Sequence, residues 1–212
     1  MAVLFDDFIF MDNNGNWMIH LNIDRMASCF FRQIERSASV FSSRVENREV
    51  YAFCLDLDIE NGGCRVSWNT LEAFDATLAE YRQRESRRHS AFDIDGVSGI
   101  KYNSGDFSYH LDELDPDDDG VNQVLSEIMD QLGTLYDEKG AEFYQQYYQS
   151  VVEKEIVSCA AGAIIRAQST LGRFSQHADF IAFVTLHDAD DDRLLGIMRQ
   201  TVDDVLLAKI FG

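Results

Sequence analysis

The chain is poor in bases, in proline and in any short pattern that marks a known reaction. Against 37 Asp and Glu it carries 18 Lys and Arg, a formal net charge of −19 with a pI near 4.4. Such a field opposes nucleic acid and anionic membranes as partners, because both present dense negative charge of their own. One proline, Pro116, and no Gly/Ser-rich tract leave nothing that reads as a linker, so a single domain over residues 1–212 is expected. The four cysteines, Cys29, Cys54, Cys64 and Cys159, show neither CxxC spacing nor a Cys/His cluster, which removes the usual zinc patterns. They read as free thiols, and with them the cytoplasm as the compartment. No apolar run approaches the roughly 18–20 residues of a membrane span. Met1–Met11 contains Asp6 and Asp7 and lacks a basic start, so it does not read as a signal peptide. GxSxG, GK[ST] and GxGxxG are missing, and His20, His89, His110 and His177 show no HxH or HExxH spacing. No cofactor and no enzymatic activity are expected from these absences.

What is present is acid, unevenly placed. Residues 1–106 hold 17 acids and 11 bases (net −6), and residues 107–212 hold 20 and 7 (net −13). Between Lys101 and Lys139 there is no base, yet eleven acids: Asp106, Asp112, Glu113, Asp115, Asp117, Asp118, Asp119, Glu127, Asp130, Asp137 and Glu138. A stretch of one sign repels itself unless a cation, a basic partner, helix N-termini or water opposes it.

The apolar content, 46%, is enough for a sizeable core. Val3–Met11 and Trp17–Ile23 flank Asn and Gly residues suited to a turn, which predicts a hairpin. Asp24 is expected to cap a helix whose inner stripe is Met26, Phe30, Ile34, Ala38, Phe41 and Val45. Val50–Asp58 reads as a strand with Tyr51, Phe53, Leu55 and Leu57 on one face, central at its start and exposed at its end. A second strand carries Cys64, Val66 and Trp68. Asn69 and Glu72 have the spacing of a capping box before a helix that buries Leu71, Phe74, Leu78 and Tyr81. That helix ends in Arg82, Arg84, Arg87 and Arg88, bases that suit a helix C-terminus and are available to the acidic half. Short strands are expected near 100–110, then helices over 121–138 and about 141–171, the latter with an interruption at Gly162. Asp179–Leu186 reads as a strand, and the acids after His187 as the cap of a last helix from Arg193 to Arg199. Hairpins mixed with long helices predict an α+β fold, a mixed or antiparallel sheet packed against several helices.

Two patterns invite chemistry. In Asp115-Pro116-Asp117-Asp118-Asp119-Gly120, positions one, three, five and six match a calcium loop, but position twelve is Ser126 and Glu127 falls one residue late. Acids ahead of a helix at Val121 are explained as well by its positive N-terminus. His187 beside Asp188 raises a hydrolase or transferase site as a second alternative, although proximity in sequence supplies no nucleophile. Tyr102, Phe107 and Tyr109 are clustered aromatics without a local basic surface, so they read as core or interface rather than as base-stacking groups.

Four segments, Val50–Asp58, Val66–Tyr81, Ile100–Leu114 and Asp179–Val202, together resemble the DUF4303 family, a bacterial domain of unknown function. Tyr102, Ser104, Phe107 and Tyr109 stand where that family's Trp/Tyr-rich segment falls, in place of its usual Trp and Pro. The resemblance carries no catalytic residue. It implies the company of the small acidic families that accompany polymorphic bacterial toxins, and hence an immunity protein. The expectation is therefore a binding protein for a basic partner, with a contact surface formed by Tyr102, Asp106, Phe107, Tyr109, Asp112, Glu113, Asp115, Asp117, Asp118 and Asp119. Acids would steer the encounter and aromatics would anchor it.

Overall fold

A computed structural model describes residues 9–11, 17–19, 21–85, 94, 96–97, 99–115 and 120–212. Short strands β1 (Ile9–Met11) and β2 (Trp17–Ile19) pair antiparallel as the expected hairpin. Helix α1 (Ile23–Ser42) follows, and its cap is Asn22, whose side chain accepts from the Arg25 amide at 3.0 Å. Asp24 sits one position inside, in the first turn, where its charge faces the positive helix end. The helix stops before Val45, which is exposed. Asn47 holds the chain in another direction, donating to the carbonyls of Ser42 and Arg173 and accepting from the Ser175 amide at 2.8 Å.

Strands β3 (Val50–Asp58) and β4 (Gly63–Thr70) form a hairpin around a single 3₁₀ turn, Ile59–Asn61. Helix α2 (Leu71–Glu85) comes next, then a 3₁₀ turn at Ser104–Asp106 and strand β5 (Tyr109–His110). Helices α3 (Leu111–Leu114), α4 (Val121–Lys139), α5 (Ala141–Tyr147), α6 (Glu153–Arg166) and α7 (Gln168–Leu171) precede strand β6 (Gln176–Leu186). Helices α8 (Asp191–Met198) and α9 (Asp204–Phe211) close the chain. The fold is α+β, with one mixed four-stranded sheet in the order β5-β4-β3-β6. Strand β3 is central, antiparallel to β4 and parallel to β6.

Each face of that sheet is covered. Phe53, Leu55, Leu57, Val66, Trp68 and Val184 meet α1, α4 and α6 in the larger core. Ala52, Cys54, Ile181 and Phe183 meet α2, residues 97–107, α8 and α9 in the second. Tyr51 belongs to the second core and not with Phe53, as simple alternation requires. The pairing of β3 with both neighbours shifts between Val50 and Ala52, so Tyr51 and Ala52 turn to the same side, as a bulge demands. Nor is the end of β3 exposed: Leu57 is buried and Asp56 and Asp58 are partly covered.

Several boundaries differ from the sequence-based ones for local reasons. Thr70 caps α2, its hydroxyl accepting from the Ala73 amide, while the buried Asn69 donates to the Tyr51 hydroxyl. The Tyr51 hydroxyl in turn donates to the Lys101 carbonyl at 2.6 Å. The 141–171 region is not one α-helix. A π-helical turn at Tyr148–Val152 joins α5 to α6, and the break falls at Ala167 instead of Gly162. Gly120, at φ 80°, occupies the cap position of α4 without a side-chain bond. Asp190 caps α8, accepting from the Arg193 amide. Cys29, Cys54 and Cys159 are buried free thiols and Cys64 is partly covered.

Candidate functional site

The carboxyl ends of the parallel neighbours β3 and β6 open on two adjoining cavities of about 390 Å³ and 300 Å³. Both are lined by Asp56 and His187, which therefore stand where the cavities meet. Ligands of open sheets commonly sit outside the carboxyl ends of parallel strands, since the departing loops leave space there. Strand β3 brings Asp56 and Asp58 to this end, two residues apart on one face. The first turn after β6 brings His187, whose amide donates to the Leu57 carbonyl at 3.0 Å.

The larger cavity adds Cys64, Arg65 and Val66 from β4, Leu111, Asp112 and Asp115 from α3, Asn122 from α4 and Gln33 from α1. Asn122 accepts from the Cys64 amide at 2.8 Å, which ties the start of β4 to the start of α4. Asn61 donates to both oxygens of Asp58 at 2.9 and 3.0 Å. Asp56 accepts from the Ser104 hydroxyl at 2.8 Å. Burial pushes the Asp56 carboxyl above the usual carboxylate range, opposed by the Ser104 bond and by the nearby charges of His187 and Arg65.

His187 and Asp188, adjacent in sequence, make only a loose contact, 3.9 Å, with side chains 59% and 93% exposed. Asp188 adopts φ 61°, which turns the chain away from the cleft. The neighbour that matters for His187 is Asp56, which sequence proximity does not reveal. No hydrogen bond joins the imidazole to the Ser104 hydroxyl or to Asp56 among the described residues, so no nucleophile–base pair is assembled. Neither do the described residues contain a group of three or more His, Cys, Asp or Glu arranged to hold a metal ion.

The expected contact residues separate into classes. Tyr102 and Phe107 are buried in the second core, edge-on to Tyr51 at 5.7 and 6.2 Å. Tyr109 is half-buried and packs on Phe41 and Trp68 in the first. All three serve this chain's own core, which corrects their assignment as anchors for a partner. Asp106 is half-covered and accepts from the Tyr81 hydroxyl at 2.7 Å. Asp115 is gripped by Arg36 of α1, with Nη2 at 2.7 Å from one oxygen and Nε at 2.9 Å from the other. That engagement also takes up the first ligand position of the calcium-like string. Glu127 pairs with Arg25 at 2.7 Å. The acids of the base-free stretch are thus partly answered, by bases some eighty to a hundred residues earlier in the chain. Asp112 and Glu113 are exposed on α3, while Asp117, Asp118 and Asp119 lie outside the described residues.

The model of the domain of unknown function DUF4303 matches residues 33–201. The chain belongs to the DUF4303 family. No curated protein and no solved structure matches it. In this DUF4303 domain the matched span contains Asp56, Ser104, Asp115 and His187, so the whole cleft lies within the family's own extent. The residues that sequence reasoning missed are Asp56, Ser104 and Gln33. One signal was available for Asp56: an acid at an alternate position of an otherwise apolar strand faces a core unless something polar meets it.

Proposed function

We propose that this DUF4303 domain is a non-enzymatic binding protein, an immunity protein that neutralises a basic bacterial toxin by occluding it. The observation that carries this reading is the cleft rim: Asp56, Asp58, Asp112 and Asp115 converge on one cavity, with Arg65 as the only lining Lys or Arg among the described residues. Exposed Asp112 and Glu113 extend the negative surface outward. In a chain of net charge −19 this arrangement draws a basic protein and speeds its encounter, while repelling anionic polymers. The lack of an assembled nucleophile–base pair in the same cleft supports binding over catalysis. The family resemblance, through the acidic families that accompany polymorphic toxins, supports a toxin as the partner.

The test is to mix the purified chain with the product of the toxin gene found beside its own. A tight complex that weakens steeply with salt, and more weakly forms with Asp112→Lys, is expected. If no such product binds, or if binding ignores both salt and charge reversal, the reading fails.

A further inference from the structure

An interface with tight affinity needs a buried anchor as well as steering charge. Since Tyr102 and Phe107 are committed to this chain's core, the anchor has to come from the partner. Resting on the reading above, we propose that the cleft at the ends of β3 and β6 receives an arginine side chain of the basic partner, its guanidinium between Asp56 and Gln33.

Gln33 is the independent observation. It is a polar residue only 7% exposed, on the inward face of α1, and it lines the larger cavity. Its side-chain amide has no hydrogen-bond partner among the described residues. A buried amide left unmade in this way costs stability, so an occupant that bonds it is favoured. Asp56 presents a similar opening. Ser104 occupies one of its oxygens, and the other has no partner among the described residues. Between them these two groups offer carbonyl and carboxylate acceptors on opposite walls of one cavity.

Arginine fits that pair better than lysine or a small metal ion does. Its planar fork carries five donors, enough to serve a carboxylate and an amide oxygen at once. Its aliphatic stem needs an apolar wall, and Val66 and Leu111, both almost fully buried, supply one. The charge balance also admits a cation. Arg65 stands across from Asp56 in the strand pairing, and Arg36 already answers Asp115, yet Asp58 and Asp112 keep the cavity negative. An isolated carboxylate in this covered position is held at a cost that an incoming guanidinium removes.

The probe is N-acetyl-arginine amide, with N-acetyl-citrulline amide as its uncharged isostere, titrated into the full chain and followed by amide NMR. Saturable shifts at Gln33, Val66 and His187 are expected with the arginine probe and not with citrulline. Asp56→Asn keeps an oxygen for Ser104 and so keeps the fold, yet it should weaken the probe by about tenfold or more, the loss of one charge-assisted hydrogen bond. Asp130→Asn, exposed on α4, should leave it unchanged. Equal response to citrulline, shifts scattered over the exposed acids, no shift at all, or undiminished binding by Asp56→Asn would each overturn the cleft assignment. None of those outcomes bears on whether a toxin binds, which the mixing experiment decides separately.

Discussion

Replacing Arg36 with Met removes the guanidinium that grips Asp115 while keeping most of the side chain's apolar volume on α1. Three contacts go: Nη2 to Oδ1 at 2.7 Å, Nε to Oδ2 at 2.9 Å and Nη2 to the Asp115 carbonyl at 3.3 Å. Hydrogen bonds to charged groups contribute roughly 1.5–3 kcal/mol where covered, and exposed ion pairs only about 0–1 kcal/mol. With side chains 19% and 29% exposed, this pair falls between those limits, so a loss of about 1–2 kcal/mol is expected. In urea, with a slope of about 2–3 kcal/mol per molar, the midpoint should fall by roughly 0.5 M. A double-mutant cycle with Asp115→Asn isolates the pair, and a coupling near 1 kcal/mol is expected for groups in direct contact. Additive single effects, with no coupling, would show that the pair is an incidental surface contact and that α1 does not answer the base-free stretch.

Other perturbations test other parts of the structure. Gly62→Ala should cost about 1–3 kcal/mol by thermal melting, because Gly62 holds φ 68° and an added Cβ would stand 3.0 Å from the Ser126 Cα and 2.8 Å from its hydroxyl; an unchanged melting temperature would contradict that packing. Asn69→Leu should destabilise by about 1–3 kcal/mol, since it strips the Thr70 amide of its acceptor and the Tyr51 hydroxyl of a donor in a fully buried position. Asp56→Asn should stabilise the chain at pH 7.5. The native carboxyl is raised, so it binds its proton more tightly folded than unfolded, and its ionised form is a cost that fades as pH falls through the folded value. The gain should therefore disappear below the unfolded value of about 3.9, and a gain that persists at pH 3 would remove desolvation as its cause.

The elements with one clear period were legible, and those set by meetings between distant segments were not. The stripe from Met26 to Phe41 and the run from Val121 to Leu132 are helical in the structure and buried where the spacing places them. The strands at 50–58 and 179–186 are adjacent in the sheet, as their apolar character allows. Tyr51 was misplaced because a bulge breaks the two-residue period, and nothing in VYAFCLDLD marks it. Asn69 was read as a cap because its type and spacing suit one. Its burial beside Tyr51 depends on where residue 101 returns to the sheet. The cleft was invisible for the same reason: Gln33, Asp56, Ser104 and His187 come from four separate parts of the chain. Local charge counting also misjudged the acids, since Arg25 and Arg36 reach Glu127 and Asp115 only after α1 packs against α3 and α4.

That division of the acids gives salt opposite effects on folding and on association. The described ion pairs are few and mostly half-exposed, so screening them removes little. The excess of unpaired acid is large, and its self-repulsion is a long-range term that weakens as the Debye length shrinks from about 10 Å at 0.1 M to about 3 Å at 1 M. Sodium chloride raised from 0.05 to about 0.5 M should therefore raise the melting temperature by a few degrees, in keeping with about 1 kcal/mol relieved in a chain of this size. Over the same range the association rate with a basic partner should fall, by about tenfold or more, because steering is what screening removes first. The Arg36→Met variant should show a larger salt-induced rise than the native chain, since it adds one more unanswered acid. If the melting temperature instead falls with salt, the ion pairs outweigh the repulsion, and the surplus acid is then too well dispersed to direct a partner to the cleft.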